Sequence, residues 1–285
     1  MKQELERIWE VIPSNGQFMA LFGDVSKTIL EIYNRIDQGT VYKSDNSPQT
    51  LADRLSDEMI GSYLKLNSPF PVLSEESEED RTDYPELFWI VDPLDGTRDF
   101  LNKTGEFAIM AALVRAHQPI FGAVYRPLTR SCYLARAEAG AFLLDADGSS
   151  SRLQVSDIAD PAYMRMATSR TFTKGTDIAV AKGLGIPDSN LIFHGSFGLK
   201  ACLVAAGKAE LFLSSSDKTS IWDSAPALVI MPEAGGKITD LNGQDLVVDP
   251  AIRRNRNGIV VSNGQNHPGT TNRIRELVQQ LKQQS

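Results

Sequence analysis

The chain has 285 residues, of which 42% are hydrophobic and 23% charged, and its formal net charge is −7. That composition is typical of a globular protein large enough to bury a sizeable core. The acidic balance, with no Lys/Arg block, argues against a nucleic-acid polymer or an anionic membrane as partner. A small phosphorylated metabolite is compatible with it, because a bound divalent cation reverses the local field of an acidic site.

The first half predicts helices followed by antiparallel strands. Apolar residues at helical spacing predict helices over residues 1–12, 18–37 and 51–66. The acidic run over 74–84 predicts a solvated loop. Apolar or alternating runs predict five strands before an Asp/Gly/Ser-rich turn at 145–152: residues 88–92, 107–114, 120–125, 131–137 and 140–144.

The second half predicts alternating strands and helices. The predicted strands cover residues 163–168, 191–194, 209–213 and 237–239. The predicted helices cover residues 177–183, 199–206, 224–234 and 273–283. This alternation predicts an α/β layer packed against an α+β first half, with the halves at residues 1–155 and 156–285.

Two cysteines and the chain's apolar segments bear on its compartment. Cys132 and Cys202 lack metal-ligand spacing, so we expect them reduced in the core. The N-terminus lacks a signal-peptide pattern, and no apolar run is long enough to span a bilayer. We therefore expect a cytoplasmic enzyme, as a monomer or a homodimer.

The segment FWIVDPLDGTRDF, residues 88–100, carries the strongest functional signal. It predicts a buried strand that ends at Asp92 and a turn that begins at Pro93, and open α/β sheets carry their chemistry at such strand ends. Because Pro93 prevents a regular ladder or helix, Asp92 and Asp95 can converge, joined by the Leu94 carbonyl. Two carboxylates and a carbonyl are hard oxygen ligands suited to Mg²⁺.

Gly96 and Thr97 follow these carboxylates at a predicted helix start. Free backbone N–H groups at such a position form a phosphate site. The alternative for this segment alone is a tight turn with an aspartate cap.

Three further segments each place a carboxylate where an apolar segment ends or a helix begins. They are DNSPQTLAD at residues 45–53, PVLSEES at 71–77, and IWDSAP at 221–226 with PEAGG at 232–236. With the Asp-Pro-Leu-Asp-Gly-Thr motif, the chain resembles the inositol-monophosphatase-like superfamily of Mg²⁺-dependent, lithium-sensitive phosphatases over residues 40–240. It is most similar to the 3′(2′),5′-bisphosphate nucleotidase branch, and the resemblance implies a layered αβαβα sandwich.

The resemblance implies a complete catalytic set. Its metal ligands fall on Glu75, Asp92, the Leu94 carbonyl, Asp95 and Asp223, which would hold two or three Mg²⁺ ions. The water-activating pair falls on Asp53 and Thr97, and the phosphate on the amides of Gly96 and Thr97. Without metal, carboxylates sharing one pocket raise one another's pKa values.

Several of these residues have simpler structural alternatives. Asp223 can cap the helix that follows it, and Asp53 can be an exposed charge on a helix face. Asp45 is interpreted as a loop or cap residue, Glu76 as a surface or supporting residue, and His194 as a core or rim residue.

The predicted substrate pocket departs from the nucleotidase pattern. Lys200 matches the lysine of the branch's Ser-x-x-Lys, and we expect it to bind the nucleotide's remote phosphate. Phe197 occupies the serine position, Phe172 replaces a histidine, and Ser214 replaces an arginine. Phe172 or Phe197 could instead stack on the base.

The sequence therefore predicts a Mg²⁺-dependent phosphomonoesterase that acts on adenosine 3′,5′-bisphosphate. The alternatives are an inositol monophosphatase or another sugar-phosphate phosphatase, and a catalytically silent metal- or nucleotide-binding relative. The intact ligand set and water-activating pair favour the enzyme.

Overall fold

Two β-sheets with helices between them and on both outer faces form the framework of the protein. The computed structural model describes residues 2–77, 81–170 and 175–283. The α-helices in these ranges are α1 (Lys2–Glu10), α2 (Asn15–Tyr33), α3 (Leu51–Asn67), α4 (Thr97–Leu101), α5 (Thr176–Leu184), α6 (Phe197–Ala205), α7 (Ile221–Glu233) and α8 (His267–Gln283).

The strands form one large sheet, one smaller sheet and a hairpin. The hairpin pairs β1 (Val41–Tyr42) with β2 (Pro48–Gln49). The seven-stranded sheet contains, in spatial order, β3 (Val72–Ser74), β4 (Leu87–Asp95), β5 (Ala108–Arg115), β6 (Gln118–Arg126), β7 (Ser131–Arg136), β8 (Gly140–Leu144) and β9 (Ser150–Arg152). The five-stranded sheet is built from β10 (Met166–Ser169), β11 (Leu191–His194), β12 (Leu211–Ser214), β13 (Lys237–Thr239) and β14 (Ile259–Ser262), in the order β11-β10-β12-β14-β13.

An outer helical layer, α2 and α3, covers one face of the seven-stranded sheet. Its contact with the sheet is built on buried aromatic rings: Phe18 of α2 lies 4.7 Å from Phe121 and 5.5 Å from Trp89, measured between ring centroids. Such large buried rings contribute much of the apolar area that stabilises a core. This layer holds α3, and with it Asp53, against the sheet.

A middle layer, α6 and α7, separates the two sheets and packs on both. The closest approach of α7 to the large sheet depends on Gly122 of β6, where a β-carbon would lie 2.6 Å from the Pro226 carbonyl oxygen. On the far side, α5 and α8 cover the outer face of the five-stranded sheet. The order of layers is therefore α, β, α, β, α, and the predicted αβαβα sandwich is confirmed.

The antiparallel strands predicted between residues 107 and 144 are confirmed, and each pairs with its neighbour in sequence. Other expectations need correction. The predicted turn at 145–152 contains the edge strand β9, and the strand predicted over 163–168 begins only at Met166. Strands β3 and β14 were not predicted, because segments of three or four residues between loops give no periodic signal.

The structure also bears on the cysteines and on membrane-spanning segments. Both Cys132 and Cys202 are buried and free, as predicted. Over the ranges that the structure describes, no helix has the length and apolar character needed to cross a membrane.

Candidate active site

Parallel pairing of β3 and β4 brings two carboxylates to the same edge of the large sheet. Ser74 is the register partner of Val91, and the Glu75 amide donates to the Val91 carbonyl at 3.0 Å. Glu75 therefore leaves β3 where Asp92 lies on β4. The position agrees with the rule that parallel strands deliver functional groups at their carboxyl ends.

Strand β4 does not end at Asp92, contrary to the prediction. It continues to Asp95, and its pairing with β5 shifts register between Asp92 and Asp95. An irregularity of this kind changes the direction of side chains, and Pro93, which cannot donate to the ladder, occupies it. The Leu94 amide donates to Asp92 Oδ1 at 3.0 Å, which fixes that carboxylate.

Asp95 lies at the N-terminus of α6. Its carboxylate accepts hydrogen bonds from the amides of Phe197 at 3.1 Å and Gly198 at 2.8 Å, and from the Ser196 hydroxyl. The first amides of a helix have no intrahelical acceptor and carry the positive end of its dipole. Asp95 satisfies them, so its position is set by a helix more than 100 residues further along the chain.

Asp223 comes from the first turn of α7. The helix begins at Ile221, with Ser220 as N-cap, and the Ser220 amide donates to Asp223 Oδ2. The predicted start of this helix at residue 224 is therefore three residues too late, and Asp223 is not the N-cap but the N3 member of a capping box, whose carboxylate also faces the other carboxylates. One oxygen from each of Asp92, Asp95 and Asp223 lies within 4.8 Å of the other two.

This three-carboxylate cluster fits a hard divalent cation. All of its donors are oxygens, and two of its members, Asp92 and Asp223, have pKa values well above the usual aspartate range because of burial and of the neighbouring carboxylates. Removing several carboxylates from water without a counter-charge is costly. A divalent cation relieves that cost, and carboxylate oxygens are the ligands that Mg²⁺ and Ca²⁺ prefer.

Glu75 lines the cavity that contains the three-carboxylate cluster, and its carboxylate forms an ion pair with a lysine. Lys43, beside the β1–β2 hairpin, lies 3.1 Å from Glu75 Oε1 and 2.9 Å from Glu76 Oε2. Burial raises the pKa of Glu75 to about 7 against the opposing influence of Lys43. The Glu76 side chain is a buried ion-pair partner, which agrees with a supporting position and excludes a surface one.

Asp53 and Thr97 form the second functional pair. Thr97 Oγ1 donates to Asp53 Oδ1 at 3.0 Å, while Asp53 Oδ2 accepts from the amide and hydroxyl of Thr50, the N-cap of α3. Burial raises the pKa of Asp53 to about 6. Asp53 is 2% exposed, so the alternative of an exposed helix-face charge is excluded.

Gly96 and Thr97 start a short helix, as predicted. Gly96 is the N-cap of α4 with φ of 90°, and a β-carbon there would lie 2.9 Å from the Glu106 carbonyl oxygen. Glycine is therefore required on both conformational and steric grounds. Gly96 and Thr97 line a cavity of about 260 Å³, which we call the active-site cavity. Its lining also includes Glu75, Asp92, Leu94, Asp95, Lys200 and Asp223.

A side cavity of about 420 Å³ adjoins this active-site cavity; its lining includes Asp177, Phe197, Lys200, Phe212 and Ser214. The rings of Phe197 and Phe212 pack edge to face with centroids 4.9 Å apart. Lys200 lies where the two cavities meet; its Nζ is buried and donates to the Ser196 carbonyl at 2.7 Å. Phe172, the other residue predicted to stack on a base, lies outside the described residues.

The remaining alternatives agree with the structure. Asp45 caps a turn, because its carboxylate accepts from the Ser47 amide at 3.0 Å and from the Ser47 hydroxyl at 2.6 Å. His194 is partly buried with its Nδ1 2.7 Å from the Gly195 carbonyl oxygen, and burial lowers its pKa.

Sequence reasoning missed three residues that support the site: Lys43, Thr50 and Ser196. Thr50 had a usable signal, since Thr-x-x-Asp before a helix is the pattern of a reciprocal cap. Ser196 has none, because its φ of 55° and its bond to Asp95 follow from tertiary packing.

Comparisons with known proteins agree with this geometry. Residues 16–280 match the model of the inositol monophosphatase family. The 3′(2′),5′-bisphosphate nucleotidase CysQ of Aggregatibacter actinomycetemcomitans is 36% identical over 251 residues, covering 85% of this chain and 86% of the relative. The corresponding protein of Escherichia coli strain K12 is 33% identical over 238 residues, covering 82% of this chain and 93% of the relative.

Solved structures give the same picture. CysQ from Bacteroides thetaiotaomicron, 31% identical, superposes with a TM-score of 0.68 over 84% of this chain and 92% of that one. The Thermotoga maritima IMPase, 24% identical, shares the fold with a TM-score of 0.77 over 92% of this chain and 97% of that one. The family match and the relatives named as nucleotidases identify the chain as a phosphoric monoester hydrolase, and the family is generally metal-dependent. The chain belongs to the inositol monophosphatase family.

Proposed function

We propose that the protein is a Mg²⁺-dependent 3′(2′),5′-bisphosphate nucleotidase that hydrolyses adenosine 3′,5′-bisphosphate to AMP and phosphate. The observation that carries this proposal is the convergence of Asp92, Asp95 and Asp223 within 4.8 Å beside the Asp53–Thr97 pair. The substrate assignment rests on relatives of 31–36% identity that are named for this nucleotidase activity.

The carboxylate cluster, together with Glu75 and the Leu94 carbonyl, would hold the Mg²⁺ ions. Bound Mg²⁺ supplies Lewis acidity and neutralises charge at the phosphate. In this proposal residues 1–155 contribute four of the ligands and residues 156–285 contribute Asp223, so the site joins two halves of the chain.

Thr97 and Asp53 act on the proton of the attacking water. Because the Thr97 hydroxyl donates to Asp53, its lone pairs are free to accept a proton from a water molecule. The threonine proton then moves to Asp53, whose pKa of about 6 suits a proton acceptor near neutral pH. The amides of Gly96 and Thr97, at the start of α4, orient the phosphate.

The side cavity would receive the nucleoside. Phe197 and Phe212 supply aromatic surface, and Asp177 and Ser214 supply polar groups at the wall. Ligand sites combine a mostly apolar lining with a few polar groups in this way.

Phosphate release from a substrate panel tests the proposal. We expect kcat/KM to be highest for adenosine 3′,5′-bisphosphate, compared with inositol 1-phosphate and fructose 1,6-bisphosphate, and activity to disappear in EDTA and return with Mg²⁺. A preference for inositol 1-phosphate or fructose 1,6-bisphosphate would contradict the nucleotidase assignment. Absence of release from all three would favour the catalytically silent alternative.

A further inference from the structure

A third cavity, of about 790 Å³, lies beside the active site and carries the opposite charge. We call it the basic cavity; it is lined by Asp45, Ser47, Arg98, Asp217, Lys218, Arg254 and Arg256. Four cationic side chains face two carboxylates there, although the chain as a whole has a net charge of −7. Such a local excess of positive charge favours an anion.

The basic cavity shares lining residues with both other cavities. It shares Ser47 and Arg98 with the active-site cavity and Lys218 with the side cavity. The active-site and side cavities share Phe197 and Lys200 between them. The three cavities are therefore neighbours, as one small molecule that places groups in more than one of them requires.

The cations of the basic cavity are largely free to bind a ligand. Arg254 is fixed by Asp45 at 3.1 Å and by the Lys218 carbonyl at 2.7 Å. Arg98 contacts only the Asn46 carbonyl, at 3.5 Å, among the residues that the structure describes. The side chains of Lys218 and Arg256 make no hydrogen bond or ion pair with any residue in the described ranges.

We propose that the basic cavity binds the phosphate that is not hydrolysed in a substrate carrying two phosphates. The inference rests on the proposed function, since the scissile phosphate must lie at the carboxylate cluster. Arg256 provides a planar donor fork that is unengaged within the described residues and Lys218 a flexible ammonium, which are groups that proteins use to bind phosphate dianions.

Lys200 is less suited to this role than the sequence predicts. Its ammonium is buried and donates to the Ser196 carbonyl at 2.7 Å. Part of its hydrogen-bonding capacity is therefore already used within the protein. A second phosphate in the basic cavity also explains how a chain with Phe197 and Ser214 in the side cavity can bind a bisphosphate.

Paired substrates test the proposal. Adenosine 3′,5′-bisphosphate and adenosine 3′-monophosphate differ only in the 5′-phosphate, so the ratio of their kcat/KM values measures how strongly that group is recognised. We expect Arg256→Gln and Lys218→Gln each to lower this ratio about tenfold, the scale of one charge-assisted contact. Lys182→Gln, at an exposed position of α5 outside the three cavities, is the matched control and should preserve the ratio.

Two outcomes with this pair would overturn the proposal. In one, Arg256→Gln and Lys218→Gln reduce both kcat/KM values equally. In the other, the ratio survives in these variants and is lost in Lys200→Ala, which would place the second phosphate at Lys200.

Failure of the nucleotidase assignment can be distinguished from failure of the basic-cavity proposal. If the wild-type protein does not hydrolyse adenosine 3′,5′-bisphosphate, the nucleotidase assignment fails, and fructose 1,6-bisphosphate with fructose 1-phosphate supplies the equivalent pair. A preference for the sugar bisphosphate that is lost in Arg256→Gln and Lys218→Gln would support the basic cavity with a sugar substrate. If the wild-type protein shows no preference for the second phosphate in either substrate pair, the proposal that the basic cavity binds that phosphate is overturned.

Discussion

Replacing Asp53 by asparagine should stabilise the metal-free protein above pH 6 while reducing turnover. Asparagine is isosteric and can satisfy every hydrogen bond at this position. Its carbonyl oxygen can accept from the amide and hydroxyl of Thr50, and its Nδ2 can donate to Thr97 Oγ1. The Thr97 hydroxyl can then donate to the Leu94 carbonyl, 3.2 Å away. The change therefore removes a buried charge and keeps these three hydrogen bonds, while the second Nδ2 hydrogen has no acceptor among them.

The magnitude follows from the pKa of Asp53. Burial raises that pKa from 3.8 to about 6 in the folded protein. Between these values the unfolded chain binds fewer protons than the folded one, so stability falls as pH rises, by about 1.4 kcal/mol per pH unit. The Asp53→Asn variant lacks this contribution. Its stability relative to the wild type should therefore rise by about 3 kcal/mol between pH 4 and pH 6 and level off above pH 6.

Urea unfolding in EDTA between pH 4 and pH 8 measures this difference. Glu58→Gln, at an exposed position of the same helix, controls for removal of a carboxylate from α3. A stability difference that does not change with pH, or an Asp53→Asn variant less stable than the wild type at pH 8, would refute the reasoning. In the Mg²⁺-loaded protein the same substitution should lower kcat about 10²- to 10⁴-fold, because an amide cannot accept the threonine proton.

Three further predictions concern the metal and the proton path. Asp95→Asn should abolish Mg²⁺-dependent turnover, because an amide lacks the charge that holds a hard cation; full turnover in the purified variant would remove Asp95 from the ligand set. Thr97→Ala should lower kcat about 100-fold with little change in Mg²⁺ affinity measured by titration calorimetry, and the reverse pattern would make Thr97 structural. Millimolar Li⁺ should inhibit at subsaturating Mg²⁺, as the family resemblance implies, and unchanged turnover would count against a second metal position at Asp95 and Asp223.

Much of the fold was predictable because its signals are local. Helices α2 and α3 carry long amphipathic patterns, and the antiparallel strands of the large sheet follow one another with short turns. Strand β14 was not predictable, since three apolar residues and a serine after a loop become a strand only through pairing with β12 and β13. The continuation of β4 through Pro93 likewise depends on its neighbour β5.

The candidate site was predictable only in part. Asp92 and Asp95 stand in a short motif that itself indicates a metal site, the family resemblance adds Asp223, and these three carboxylates do lie together. What surrounds them was not predictable. The bond from Ser196 to Asp95, and the ion pair of Lys43 with Glu75, join residues that only the tertiary fold brings into contact.

The basic cavity was not predictable from the sequence either. Its cations come from separate places along an acidic chain: Arg98, Lys218, Arg254 and Arg256. No long run of basic residues marks them, so charge patterning along the sequence gives no indication of the cavity. Their grouping appears only when α4, which carries Arg98, and the loops around residues 218 and 254 meet in space.

The identity of the nucleotide product shows which phosphate of the substrate is removed. Adenosine 3′,5′-bisphosphate is incubated with the Mg²⁺-loaded protein, and the nucleotide product is identified by ³¹P nuclear magnetic resonance. We expect adenosine 5′-monophosphate and one equivalent of phosphate with Mg²⁺, and no release in EDTA. Adenosine 3′-monophosphate as the product, or release that persists in EDTA, would contradict this expectation.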